Sequence, residues 1–240
     1  MSNLNKWDAE LAKLATEATA SLPAVTGEWL STKGGHLSYR GQLVPGDKMN
    51  VIVLDFLNEN QYYDVPFDPT APASPCCYAF GSDKGTMMPH AKAAAPQAKS
   101  CKGCPHLEWG SADRGKGKTC REVLRLALVP AVETLDELKD CEIAYLKVPV
   151  MSVKNFSAMV QQVSQTLKRP PFAVVTEIQV TSDNQVSIFF KVASAIEDGD
   201  MLGAIMEKRK EAALDNPYPE IEAAPAQPKA PAPARNRFRK

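Results

Sequence analysis

Met49-Asn50-Val51-Ile52-Val53-Leu54-Asp55-Phe56-Leu57 is a run of aliphatic and β-branched side chains with no helical spacing. Such a run reads as a buried strand. Asn58-Glu59-Asn60 then reads as a turn, and Gln61 to Val65 continues in extended form. Upstream, segments 28–33 and 36–40 flank Gly34-Gly35, the pattern of a hairpin. Downstream, Val123 to Val129 and Cys141 to Val148 are strand-like, which makes Cys141 a core thiol. Phe172 to Val180 and Gln185 to Val192 form a second hairpin around Ser182-Asp183-Asn184.

Helical spacing appears in three places. Leu4, Trp7, Leu11, Leu14, Ala18 and Leu22 recur at that interval, so residues 1–26 are expected to hold an N-terminal helix ended by Pro23. Ser152 can cap a helix over 153–167 that places Phe156, Met159, Val160, Val163 and Leu167 on one face. A last helix is expected over about 198–214. The fold class is therefore α+β, mainly β. Five to seven strands with one well-defined intervening helix suit an OB-like Greek-key barrel spanning 27–214, and a β-sandwich is the competitor. Pro66, Pro69, Pro72 and Pro75 begin an irregular insertion at about 66–122. The segment 215–240 is rich in Pro and Ala and ends Arg235-Asn236-Arg237-Phe238-Arg239-Lys240; it is expected to be a disordered basic tail.

The insertion carries the chemistry. Cys101-Lys102-Gly103-Cys104 is a two-residue-spaced knuckle whose glycine lets both thiolates turn toward one ion. Cys120 lies downstream and Cys76-Cys77 upstream, within a Gly/Pro-rich stretch that hydrophobic burial alone would scarcely fold. A structural Zn2+ would supply the missing free energy. Tetrahedral zinc needs four ligands, and Cys77, Cys101, Cys104 and Cys120 are the expected set. Cys77 is preferred to Cys76 because Pro75 constrains its neighbour, and Cys76, His90 and His106 remain alternatives for that position. Scattered reduced thiols are the competing reading.

A catalytic metal is not expected. A zinc deaminase pairs His-x-Glu with Pro-Cys-x-x-Cys, but Ala91-Lys92 follow His90 and Ser100 precedes the knuckle. No Walker loop, Gly-x-Ser-x-Gly elbow or His-Glu-x-x-His helix occurs, and three histidines in all leave little for acid–base work. The protein is read as a non-enzyme.

The formal net charge of zero is unevenly spread. Residues 71–130 hold nine basic against four acidic residues, and the last 26 hold five against three. Aromatics stand beside cations in Trp29 with Lys33, Tyr39 with Arg40, and Tyr62-Tyr63. Around the knuckle lie Trp109, Arg114, Lys116, Lys118 and Arg121. Bases stack on such rings while cations follow the phosphates, so these residues are the candidate nucleic-acid contacts. The competing reading places Trp29 and Tyr62 in the core. No apolar run is long enough to span a bilayer, and the first residues lack a signal peptide's apolar core. No membrane association is expected, and the cytoplasm is the expected location.

The order of motifs resembles a group of bacteriophage single-stranded DNA-binding proteins with a zinc-bearing insertion in an oligonucleotide-binding barrel. The resemblance rests on Gly-x-Trp-Leu-Ser-x-Lys-Gly (27–34), Glu-Asn-x-Tyr-Tyr (59–63), and Cys-Tyr-Ala (77–79) followed by Cys-x-x-Cys-Pro (101–105). Trp-Gly-Ser (109–111) and Gly-Lys-x-Cys (117–120) before a Leu-rich strand complete it, and the match spans roughly 27–192. It implies zinc on Cys77, Cys101, Cys104 and Cys120, and a protein that coats strands of DNA exposed in replication or recombination, in the host cytoplasm. Replication or recombination proteins are the implied further partners. The basic tail departs from the acidic, partner-recruiting tail of such proteins and suggests extra contact with DNA. A zinc-ribbon adaptor contacting a polymerase or another replisome protein is the alternative.

Overall fold

The computed structural model describes residues 29–65, 73–112, 115–182, 185–216 and 218, with only the backbone at Trp29. The expected N-terminal helix, most of the proline arm, Arg114, the Asp183-Asn184 turn and nearly all of the tail lie outside that set.

Nine strands form one mixed sheet. They are β1 (Trp29–Ser31), β2 (Ser38–Tyr39), β3 (Gln42–Leu43), β4 (Lys48–Tyr62), β5 (Cys77–Gly81), β6 (Arg121–Pro130), β7 (Ala144–Pro149), β8 (Val174–Thr181) and β9 (Ser187–Ala195). Among the described residues, the helices are α1 (Leu135–Asp140), α2 (Val150–Thr166) and α3 (Gly199–Lys210). The strand order is β3-β2-β1-β7-β6-β4-β8-β9, with β5 paired to the far end of β4. All neighbours are antiparallel except β1 and β7. The sheet curls strongly into a half-barrel.

β4 organises this curl. Val51, Ile52, Val53 and Leu54 are all buried, because alternate side chains of a strand enter opposite layers. Val51 and Val53 join Leu124, Leu126, Leu128, Leu146, Ile178 and Ile188 inside the half-barrel, where Phe156, Met159 and Val163 of α2 pack on them. Ile52 and Leu54 join Ala127, Val129, Leu138 of α1 and Met201 and Ile205 of α3 on the outer face. The β4–β6 register slips between Val53 and Asp55, a bulge that bends the strand. One edge of β4 then serves two partners, β8 at Lys48 to Val51 and β5 at Asn58 to Tyr62.

The half-barrel's opening is managed with side chains. The Ile188 N–H of β9 donates to the Ser152 hydroxyl at 3.0 Å, and the Asn155 amide of α2 donates to the Ile188 carbonyl at 2.8 Å. Gly35, at φ +82°, lies so near Ser182 that a β-carbon there would clash with the serine side chain.

Several expectations change. Asn58-Glu59-Asn60 is not a turn: β4 runs through it because β5 and β6 pair on either side. Cys141 is not in a strand but caps the C-terminus of α1, partly exposed. That helix, opened by a Thr134–Glu137 capping box, is too short for a periodic signal. Ser152 lies inside α2, whose N-cap is Pro149, and Leu167 is the exposed C-cap. The insertion contains a strand, β5, and a 3-10 turn at Pro105–Leu107. The described residues extend past 214, to 216 and to Tyr218.

Phe156, 2% exposed, meets Phe56 edge-on at 5.3 Å and Phe190 at 5.2 Å. Phe156→Ala is expected to cost about 3–5 kcal/mol in urea unfolding; a loss under about 1 kcal/mol would show that α2 does not seal the half-barrel.

Candidate functional site

The insertion leaves the sheet from the end of β4 and returns at the start of β6. Cys77 opens β5 opposite Tyr62, and Cys120 immediately precedes β6. The knuckle turns as its spacing requires, with Gly103 at φ +80° and the Cys104 N–H donating to the Cys101 carbonyl at 3.1 Å. It is moored by the Cys101 N–H to the Met87 carbonyl at 2.9 Å, and Cys120 by its N–H to the His106 carbonyl at 2.9 Å. Among the described residues, Ala79, Met87, Cys101 and Leu107 form the apolar cluster here. That is too little to hold some sixty residues against chain entropy.

Cys77, Cys101, Cys104 and Cys120 line one small pocket with Asn60, Tyr62 and His106. Burial pushes the Cys77 and Cys101 thiols up, and their thiol neighbours raise both further. Cys120 is pushed up to about 12, by burial first and then by Cys101, Cys104 and Cys77. Four thiols are thus near enough to oppose one another's ionisation, which a bound cation would reverse. As they stand, no group of three or more His, Cys, Asp or Glu among the described residues is arranged to hold a metal ion. The donor set itself, four thiols without a carboxylate, is that of structural zinc. Of the alternatives, the Cys76 thiol points to the Tyr62 carbonyl at 3.5 Å and is not in the pocket. His90 stacks on Tyr78 at 5.0 Å, outside the pocket, while His106 lines it and stacks on Tyr62 at 4.1 Å.

The candidate nucleic-acid contacts fall into two groups. On the insertion, Trp109 is 79% exposed, with the Lys118 ammonium 5.3 Å from its ring centre. Lys118 also pairs with Glu122 at 2.5 Å, and Lys116 is exposed nearby. The Arg121 guanidinium lies 5.8 Å from the Tyr63 ring centre. Tyr62 is half-buried and engaged by His106. The second group, on the β1–β3 ribbon, holds exposed Lys33, half-buried Tyr39, and Arg40. Arg40 covers the Tyr39 ring at 5.4 Å, pairs with Glu142 at 2.8 Å and takes φ +49° in the hairpin turn.

Sequence reasoning missed a buried polar cluster where β4, β6 and β7 meet the insertion. Arg125 grips Glu59 with two hydrogen bonds, Nε–Oε2 at 3.0 Å and Nη2–Oε1 at 2.8 Å, and donates a third to the Leu214 carbonyl at 3.0 Å. The Tyr218 hydroxyl donates to Glu59 and accepts from Lys147. Arg125 lies 4.6 Å from the Phe80 ring centre. Burial lowers the Lys147 pKa, partly offset by Glu59, and raises that of Tyr218, helped by the same carboxylate. The available signal was Arg125 itself, a cation inside the apolar strand 123–129.

Arg125→Met would take the bidentate partner from the Glu59 carboxylate, which is 0% exposed. The expected loss is about 3–5 kcal/mol of stability by urea unfolding. The double change Glu59→Leu with Arg125→Met should recover part of it, and no recovery would mean the pair is not the source of the cost.

Among the described residues no helix is long and apolar enough to cross a membrane. Comparison with protein-family models, curated proteins and solved structures finds no match to the chain.

Proposed function

We propose that the protein binds single-stranded DNA without catalysing a reaction, through an insertion organised by one structural zinc ion. The observation that carries this reading is Trp109, 79% exposed with a lysine ammonium over its ring, on a loop otherwise short of apolar surface. An exposed indole beside Lys116, Lys118 and Arg121 supplies the stacking face and the cations that a strand of nucleic acid needs.

Connectivity supports an OB-like core. β4, β6 and β7 form a meander, α2 follows, and the β8–β9 hairpin returns beside β4. This is the succession of a five-strand oligonucleotide-binding barrel, in which the first-to-second and fourth-to-fifth strand loops take the ligand. The insertion occupies the first of those loops. β1 lies parallel to β7, along the edge where such a barrel would close, and α2 covers the gap. By the resemblance in motif order, the strands bound would be those exposed in phage replication or recombination.

Cys77, Cys101, Cys104 and Cys120 would hold the zinc. When bound, the ion would supply tetrahedral cross-linking between β5, the knuckle and the start of β6. Metal-free, a thiol at about 12 is protonated at neutral pH. Binding therefore expels protons, and zinc affinity should rise with pH, by about tenfold per unit for each proton displaced. An affinity flat between pH 6 and 8 would contradict thiolate ligation. Elemental analysis should find one zinc per chain, lost on changing Cys101 and Cys104 to Ser.

Oligonucleotide affinity should fall linearly on a log–log plot against salt, and Lys116→Ala should reduce the slope by about 0.7 if that lysine meets a phosphate. Trp109→Ala should weaken binding by about 1–3 kcal/mol. Duplex DNA is the control, and equal affinity for duplex and single strand would overturn the reading.

A further inference from the structure

The cluster beneath Tyr218 has a chemistry that the interface described so far does not use. β6 and β7 present Arg125 and Lys147 on the outer face of the sheet, and β4 adds Glu59 between them. Two cations therefore face one carboxylate. Beside the Phe80 ring, 4.6 Å from the Arg125 guanidinium, lies the ring of Tyr218. Its centre is 4.6 Å from the Lys147 ammonium and 5.6 Å from the Arg125 guanidinium, and the Tyr78 ring meets it edge-on at 5.1 Å. At the rim, the phenol gives its proton to Glu59 and takes one from Lys147. The place thus selects a flat ring over cations, carrying a hydrogen-bond donor beside an acceptor.

We infer that this place is a nucleobase slot, held closed in cis by Tyr218. The inference rests on the proposed single-strand binding and deepens it. Each of the four bases carries an N–H donor next to a carbonyl or ring-nitrogen acceptor, the two functions that Glu59 and Lys147 satisfy on the phenol. The Arg125 plane and the Phe80 ring supply stacking, and the Tyr78 ring an edge contact. The surplus positive charge of the cluster suits the adjoining phosphate. Its location agrees, since Arg125 and Lys147 stand on the second and third strands of the meander, the face that oligonucleotide-binding barrels use. It also adjoins the insertion: Tyr63, under Arg121, lies within electrostatic reach of both Glu59 and Tyr218. Over the rest of that face, α1 and α3 sit on the apolar cluster of Ile52, Leu54 and Val129 and form permanent core. The cover at Glu59 is Tyr218 together with the 213–214 segment, whose Leu214 side chain is itself seated in that apolar cluster. Besides the tyrosine, the backbone of 213–214 is held by an Ala213 N–H to Tyr145 hydroxyl bond of 3.1 Å and the Leu214 carbonyl.

The test titrates a fluorescent oligothymidylate into the full-length chain and its Tyr218→Ala and Tyr218→Phe variants. An internal occupant lowers apparent affinity by the fraction of slots left open, so Tyr218→Ala should bind about tenfold more tightly than the parent. Tyr218→Phe keeps the ring, loses both rim bonds and should gain less. Adding Lys147→Met to Tyr218→Ala should cancel the gain. In the parent protein, saturating oligonucleotide should speed amide hydrogen exchange across 211–218. Variants that fold by circular dichroism yet bind no more tightly than the parent would overturn the slot, as would unchanged exchange in 211–218. If Tyr218→Ala does not fold, Tyr218→Phe decides by the same criterion. A parent that binds no oligonucleotide overturns the proposed function as well, whereas a parent that binds while the variants gain nothing overturns the slot alone.

Discussion

Val51-Ile52-Val53-Leu54 has no polar side, and covering both faces of that segment is the constraint from which the architecture follows. A sheet with one wet face would leave Ile52 and Leu54 in water. The chain therefore places α2 and the inward curl on one side and α1 with α3 on the other. With both faces of the central strands consumed, little sheet surface remains for recognition. Chemistry is displaced to the far end of β4, where the apolar run gives way to Asn58, Glu59, Asn60 and Gln61.

That transition is also the root of the insertion. Glu59 and Arg125 bring a charge pair into a site with almost no water, where the desolvation cost is met by a bidentate geometry and further bonds to Tyr218 and Leu214. Phe80 packs over the same guanidinium, so β5 is held to the core by that cation as well as by its pairing with β4. Beyond β5 the insertion has few apolar contacts and relies on backbone hydrogen bonds across turns, such as His90 to Tyr78 and Gly110 to Gly117. Its four pocket-lining thiols sit where cross-linking would add most order.

The strands were legible because their signals are local. The β-branched run of β4, the Leu-rich β6 and the 172–192 hairpin each carry their own periodicity, and α2 shows its stripe through Phe156, Met159 and Val163. What failed depends on partners distant in sequence. Asn58-Glu59-Asn60 has turn composition, but two flanking strands and the Arg125 guanidinium hold it extended. Ser152 has capping chemistry, yet its hydroxyl is taken by the Ile188 N–H of another element. The two-residue spacing pointed to Cys101 and Cys104, Pro75 decided for Cys77 over Cys76, and with Cys120 these thiols line one pocket. Tyr218 lay in a segment whose Pro/Ala composition reads as disordered. Only the prior folding of β4, β6 and β7 creates the environment that takes its ring.

The parallel pairing of β1 with β7 sets a schedule. Trp29 aligns with Tyr145, 116 positions later. During synthesis at about 5–20 residues per second, the first strand therefore waits on the order of ten seconds for its neighbour. Leu30 is 3% exposed once docked, and until β7 is made its strand partner among the described residues is β2 of its own small ribbon. β1 can take its place beside β7 only after β7 has been made. Release from the ribosome before β7 emerges would leave the β1–β3 ribbon unanchored, and with it the Tyr39–Arg40 corner whose arginine is pinned by Glu142.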